Sequence, residues 1–272
     1  MIEAAFRAAR RSLLVPYITG GLTPDWTDYL LAYQEAGADA IEVGLPFSDP
    51  MLDGTTIQQA SDRALARGAT TGGILTGLAA VSGRLRVPII VMTYANLALR
   101  VGMHRLAQAG VSGLIVPDLP LEESAEPAAA AAAEGVDLVL LAAPSTPDAR
   151  LREICARSRG FVYAVSLMGT TGERDELPPG AAALVRRIRA AADAGPTRRL
   201  PVLIGFGVST PAQAAEAGRA GDGVIVASVL MRRVLDGATA DDLRSDVAAL
   251  RTALDLGVST GTPYAEVSGD RR

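Results

Sequence analysis

The 272-residue chain contains no lysine, and all 26 basic residues are arginine. That excludes every mechanism built on a lysine imine, including pyridoxal phosphate chemistry and imine-forming aldol cleavage. One histidine (His104) and one cysteine (Cys155) exclude a His/Cys zinc site and an internal disulfide. A magnesium ion held by carboxylates alone stays open from composition, but no motif calls for one, and we expect neither metal nor cofactor. No window approaches the roughly 18 uncharged apolar residues of a membrane span. The first 21 residues lack the apolar core and small-residue cleavage site of a secretory signal. With its lone cysteine, this makes a reducing cytoplasm the expected location. A formal net charge of −4 argues against nucleic acid as a partner. The remaining chemical tools are carboxylates, hydroxyls, backbone amides and arginine.

What the chain does have is apolar residues, 49% of the total, in short runs at regular intervals. Strands are expected at 13–19, 40–46, 87–94, 113–119, 137–143, 161–166, 201–207 and 223–228. Helical spacing of apolar residues marks 24–37, 55–68, 72–84, 102–110, 122–135, 148–160, 182–195 and 210–221, with VLMRRVLDG (229–237) as a short extra helix. The alanine-rich stretch 122–135 reads as an outer helix, because alanine is the strongest helix former. Eight alternations fit a (β/α)8 TIM barrel, with an open doubly wound sheet as the alternative. We expect one barrel domain over 1–257, an extra N-terminal helix, short extra helices after strands 2 and 8, and a loose tail at 258–272. Segments 53–60 and 169–180 read as loops able to close over a ligand.

Two carboxylates stand out in AIEVGLPFSDPMLDG (40–54). If Ile41, Val43 and Leu45 face the surrounding helices, Glu42 faces the barrel axis. A hydrogen-bonded structural carboxylate is one reading. With no lysine in the chain and no arginine nearby in sequence, a proton-transfer group with an upward-shifted pKa is the stronger one. Asp53 falls in the loop after the same strand, on the face where barrel active sites sit. Asp-Gly is also a common turn pair, and Asp49 in FSDP shares that reading. Together Glu42 and Asp53 offer a buried and a wetter carboxylate, a natural acid–base pair.

Phosphate signals lie in the last loops. GFGVST after strand 7, VAS before the short helix after strand 8, and SLMGTTGE after strand 6 supply glycine turns and a helix N-terminus, which bind anions without lysine. Aromatic residues make up only 4% of the chain. Tyr17, Tyr94 and Tyr163 fall near the C-terminal halves of strands 1, 3 and 6, where they could line a pocket for a flat ring or simply pack the core. His104 and Cys155 lie on outer helices and carry no chemistry in this reading.

These residues resemble one family. IEVGLPFSDPMLDGTTIQ (41–58), VMTYAN (91–96), GLIVPDLPLEES (113–124), GTTGER (169–174) and GFGVSTPAQ (205–213) are similar, in order and from about residue 6 to 255, to the tryptophan synthase alpha subunit. The resemblance implies a barrel that cleaves indole-3-glycerol phosphate to indole and glyceraldehyde 3-phosphate in tryptophan biosynthesis. It also implies an α2β2 assembly in which pyridoxal phosphate belongs to the β subunit. By the same resemblance Glu42 is the acid–base residue and Asp53 holds the indole nitrogen. Tyr17, Tyr94, Tyr163 and Ile225 line the substrate pocket, and Gly172, Phe206, Gly207, Ala227 and Ser228 hold the phosphate. Two positions depart from the pattern: Ala227 stands where the family has glycine, and Thr55 where proline is common. Three alternatives stay open: a stand-alone lyase releasing indole for another pathway, a different phosphate-binding barrel enzyme, and a non-catalytic activator of a β subunit.

Overall fold

A computed structural model of the chain describes residues 2–165, 180–194, 199–205 and 207–257. Eight strands close into a parallel barrel in sequence order: β1 (Leu13–Thr19), β2 (Ile41–Gly44), β3 (Ile89–Met92), β4 (Val111–Ile115), β5 (Asp137–Ala142), β6 (Val162–Val165), β7 (Val202–Gly205) and β8 (Gly223–Val226). β1 pairs with both β2 and β8, which completes the ring. The open-sheet alternative is thereby excluded.

The helices are α1 (Ile2–Ala9), α2 (Trp26–Glu35), α3 (Thr55–Ala66), α4 (Thr71–Ser82), α5 (Ala95–Val101), α6 (Met103–Gln108), α7 (Ala125–Ala133), α8 (Asp148–Arg157), α9 (Gly180–Asp193), α10 (Pro211–Ala220), α11 (Ser228–Leu235) and α12 (Ala240–Gly257). Two of these, α5 and α12, fall outside the helical segments expected from sequence. The first is hidden in the sequence because VMTY continues the apolar run of β3, which ends at Met92 and not at residue 94. β4 starts at Val111 and stops at Ile115, earlier than the 113–119 run suggested, because Pro117 cannot donate to the ladder. Segment 53–60 is not a loop: helix begins at Thr55, one residue after Gly54. Residues 169–179 and the tail 258–272 lie outside the described residues.

Strand alternation sorts the side chains into two cores. Ile41, Val43, Val91, Leu114, Ile204 and Val224 join the layer between barrel and helices. Leu13, Val15, Ile90, Ile115, Val139, Tyr163, Leu203 and Ile225 form a separate interior cluster, and Ile2 and Phe6 of α1 belong to it. Thus α1 plugs the N-terminal end of the barrel. Its Phe6 ring lies 5.8 Å from Phe161, and the Ile2 amide donates to Asp137 Oδ2 at 3.2 Å. Gly113 leaves room for the Ile2 side chain, since a Cβ there would overlap it. With one end stoppered by apolar side chains, access to the interior comes from the C-terminal mouth.

A buried ionic knot ties the chain ends to this frame. Asp39, just before β2, accepts from the Leu14 amide at 2.9 Å and pairs with Arg11 at 2.9 Å and Arg251 of α12 at 3.2 Å. Arg251 also donates to the Ser12 carbonyl at 2.8 Å.

Candidate functional site

Glu42 is the one acid in the middle of a barrel strand whose residues are otherwise apolar or glycine. It is 1% exposed, and strand register sets it between Tyr17 of β1 and Ile90 of β3. Its Oε2 has no hydrogen-bond partner among the described residues. A buried carboxylate without a counter-charge is costly, so the proton is retained. Burial, with a smaller contribution from the Asp53 charge, pushes its pKa up to about 8.

Asp53 reaches the same space from the β2–α3 loop. The loop is folded by local bonds: the Asp53 amide donates to the Pro50 carbonyl at 3.1 Å, and Gln58 of α3 donates to the Asp53 carbonyl at 2.8 Å. Burial raises the Asp53 pKa to about 6, and a hydrogen bond from the Tyr94 hydroxyl opposes the rise. The two acids therefore titrate apart. Near neutrality one is a carboxylic acid and the other a carboxylate.

Three tyrosines surround the pair. The Tyr17 hydroxyl bonds Thr19 Oγ1 at 3.2 Å. Tyr163 is buried in the interior cluster, with its hydroxyl end over Gly205, where a Cβ would overlap it. Both hydroxyls are raised, first by burial and then by the carboxylates nearby. Tyr94 sits just past β3 as the residue before α5, its hydroxyl accepting from the Leu52 amide at 3.1 Å. Ile225 lies in the interior beside Gly205, with which it pairs across β7 and β8.

At the mouth, the helix ends after β7 and β8 differ in a telling way. The start of α10 is sealed by its own capping box, in which Gln213 Oε1 accepts from the amides of Ser209 and Thr210, and the Thr210 side chain accepts from the Gln213 amide. Among the described residues, the start of α11 at Ser228 has no side-chain cap, and no acid lies in its first turn. Helix-end amides without a cap favour an anion. Gly207 lies in the loop between β7 and α10 with φ 86°. Ala227 adopts φ −121°, outside the left-handed range that favours glycine. Thr55 takes the first helical position of α3 after Gly54, where proline would also be accepted.

The family model for the tryptophan synthase alpha chain matches residues 4–260. This chain belongs to the tryptophan synthase alpha chain family. Its sequence is 45% identical over 250 residues to the tryptophan synthase alpha chain of Gloeobacter violaceus, covering 89% of this chain and 88% of that one. It is 45% identical over 240 residues to the alpha chain of Nitratidesulfovibrio vulgaris, covering 86% and 91%. A solved structure of Mycobacterium tuberculosis tryptophan synthase superposes with a TM-score of 0.84 at 37% identity, covering 93% of this chain and 98% of that chain.

Within this alpha-chain barrel the structure brings Glu42, Asp53, Tyr17, Tyr94 and Tyr163 together around the upper interior, and puts Gly207 in the loop after β7 and Ala227 and Ser228 at the start of α11. Gly172 and Phe206 lie outside the described residues. Tyr94 is past the end of its strand, and Tyr163 is the second of the four residues of β6, deeper than a C-terminal position. Sequence reading overlooked Gln58, Thr19 and Phe47, whose ring is 4.9 Å from that of Tyr94. Gln58 and Phe47 fall within the 41–58 motif, but their partners are remote in sequence, so the motif alone assigned them no task. His104 pairs on the surface with Glu134 at 3.0 Å. Cys155 packs in the helix layer, where burial raises its thiol pKa to about 11, so it stays protonated.

Among the described residues no helix is long and apolar enough to cross a membrane.

Proposed function

We propose that this chain cleaves indole-3-glycerol phosphate to indole and glyceraldehyde 3-phosphate as the alpha subunit of a tryptophan synthase. The observation that carries the proposal is a buried carboxyl, Glu42, held in an apolar interior with one oxygen unpartnered among the described residues, where burial pushes its pKa up to about 8 beside the lower-titrating Asp53. Glu42 donates its proton to the ring carbon that bears the glycerol phosphate side chain, and the indole becomes a cation. Asp53 accepts a hydrogen bond from the ring N–H and offsets that charge. The Glu42 carboxylate then takes the proton of the adjacent side-chain hydroxyl as the carbon–carbon bond breaks. The bonding electrons return to the ring, the hydroxyl becomes the aldehyde, and Glu42 ends protonated as it began. The ring cation is the electron sink, so a lysine imine is unnecessary.

Tyr17, Tyr94, Tyr163 and Ile225 shape the slot for the ring. The amides at the start of α11, with Ser228, Ala227 and Gly207, receive the phosphate, and Gly172 and Phe206 are assigned to the same set by family resemblance. A pyridoxal phosphate group would belong to the β subunit, since this chain has no lysine to bind it.

Met51 is 80% exposed, Leu52 45% and Leu99 66%, all on the β2–α3 loop or on α5. Apolar residues left exposed beside a site mouth suit a docked partner, which we assign as the β subunit. We place the enzyme in the cytoplasm, in keeping with its single buried thiol.

The test is indole release from indole-3-glycerol phosphate with and without an added tryptophan synthase β chain. Strong stimulation supports a subunit of the complex. High unaided turnover identifies a stand-alone lyase, and no release under either condition overturns the lyase reading.

A further inference from the structure

We propose that Tyr94 is a positioning residue for this reaction, its hydroxyl clamping the loop that presents Asp53 to the barrel interior. The inference rests on the lyase reading above and adds a residue that acts through Asp53.

The loop meets the Tyr94 hydroxyl at Leu52, the residue beside Asp53. The Tyr94 oxygen accepts from the Leu52 amide at 3.1 Å, and the same hydroxyl is near enough to the Asp53 carboxyl to hold its pKa down. A phenol has one proton to donate and lone pairs to accept with, so accepting from Leu52 leaves its proton free to point at Asp53. Accepting from Leu52 polarises the hydroxyl in the direction that favours an ionised Asp53.

Tyr94 itself is fixed. It follows β3 directly, is buried, and packs its ring against Phe47 at a centroid distance of 4.9 Å. The next residue, Ala95, donates its amide to Asp118 Oδ1 at 2.8 Å, which anchors the turn to the β4 side. The loop, in contrast, is loosely held. Met51 and Leu52 project into solvent. Among the described residues, the other hydrogen bonds of 46–53 stay within the segment or come from Gln58 of the helix that follows. Tyr94 is therefore the link from this loop to a different part of the barrel wall.

The bond also sets the charge state of Asp53. Burial drives its pKa up, and the Tyr94 hydrogen bond holds the rise to about 6. Without that bond more Asp53 is protonated near neutrality, and a protonated Asp53 cannot offset a ring cation. The Glu42 side of the profile is not affected in this way, because Tyr94 is not among the groups that shift it.

The experiment is the pH dependence of kcat and kcat/KM for indole release by wild type, Tyr94→Phe, Asp53→Asn and the double variant, each checked for folding by thermal melt. Tyr94→Phe keeps the ring packed on Phe47 and removes only the hydroxyl. The expected result is a fall in kcat of about tenfold or more, with the acid limb of kcat/KM moved upward by about half a unit or more and the alkaline limb unmoved. In the Asp53→Asn background the same substitution should change kcat less than about twofold, since its target is gone. Unchanged kcat and acid limb in Tyr94→Phe, or an equal fold loss in both backgrounds, overturns the positioning role while leaving the lyase reading intact. Absence of indole release by the wild type overturns the lyase reading instead.

Discussion

The hydroxyl edge of Tyr17 occupies the space that a Cβ on Gly44 would need. Such a Cβ would overlap the hydroxyl and lie 2.5 Å from the ring carbon that carries it. Glycine at the end of β2 is thus what lets a tyrosine from β1 lean across the interior toward Glu42 and Asp53. Gly44→Ala should push Tyr17 out of its seat and cost roughly 1–3 kcal/mol, the usual scale of overpacking. In a Tyr17→Ala background the same substitution should cost much less. Chemical denaturation of the four proteins of the cycle measures the coupling, and additive effects would contradict the contact.

The two carboxylates predict a bell-shaped pH profile for kcat/KM. The active form has Asp53 ionised and Glu42 protonated. Activity should therefore rise through about pH 6 as Asp53 loses its proton and fall above about pH 8 as Glu42 does. Asp53→Asn should abolish the acid limb and lower turnover about a hundredfold or more. A rate profile flat from pH 5 to roughly pH 9 would not be compatible with these assignments.

Burying Glu42 has a stability cost with a definite pH window. Its folded pKa of about 8 exceeds the ordinary 4.5, so the folded state holds the proton more tightly than the unfolded chain. Stability from this group is complete below the ordinary value and is lost progressively as pH rises toward the folded one. Glu42→Gln, which keeps the shape without the charge, should therefore stabilise the protein by on the order of a few kcal/mol near pH 8 and by little near pH 5. Denaturant midpoints at the two pH values decide it, and equal shifts at both would show that desolvation is not the cause.

At the phosphate end, Ser228→Asp should raise KM by about tenfold or more with a smaller change in kcat. A carboxylate at the uncapped start of α11 competes for the same amides and repels the incoming dianion. It should also leave the helix as stable or slightly more so. A pure kcat defect would place the phosphate elsewhere.

The ionic knot at Asp39 makes a prediction about the frame alone. Arg251→Ala removes one of two arginines from a buried carboxylate and should destabilise the protein by roughly 3 kcal/mol, the scale for breaking a buried pair. Because the knot joins α12 to the segments before β1 and β2, turnover of the folded fraction should not change. Denaturation curves beside kcat test both halves of the statement.

How far the sequence discloses this site depends on how local the signal is. Barrel order and the inward face of β2 follow from alternation around Ile41, Val43 and Leu45, a pattern carried within a few residues. Glu42 is conspicuous for the same reason, being an acid where alternation requires burial. The end of β3 is not legible in the sequence because Thr93 and Tyr94 are as strand-like as the residues before them, and the Asp118 contact that holds the turn into α5 is remote in sequence. The hydroxyl of Tyr94 could be placed near the pocket from sequence but not assigned its partner, the Leu52 amide, because the two lie 42 residues apart. Similarly, α10 and α11 both begin after polar turns. That α10 caps its own amides is decided by the Gln213 side chain folding back, a geometric fact that composition does not carry.

The most direct test of the central claim is single-turnover indole release by Glu42→Gln, measured beside the affinity of the same variant for indole-3-glycerol phosphate. A proton shuttled through Glu42 predicts release slowed at least about a hundredfold with binding retained, since glutamine fills the same space but has no acidic proton to give. Release at a rate near wild type would contradict the account, because the carbon–carbon bond would then be breaking without the buried acid.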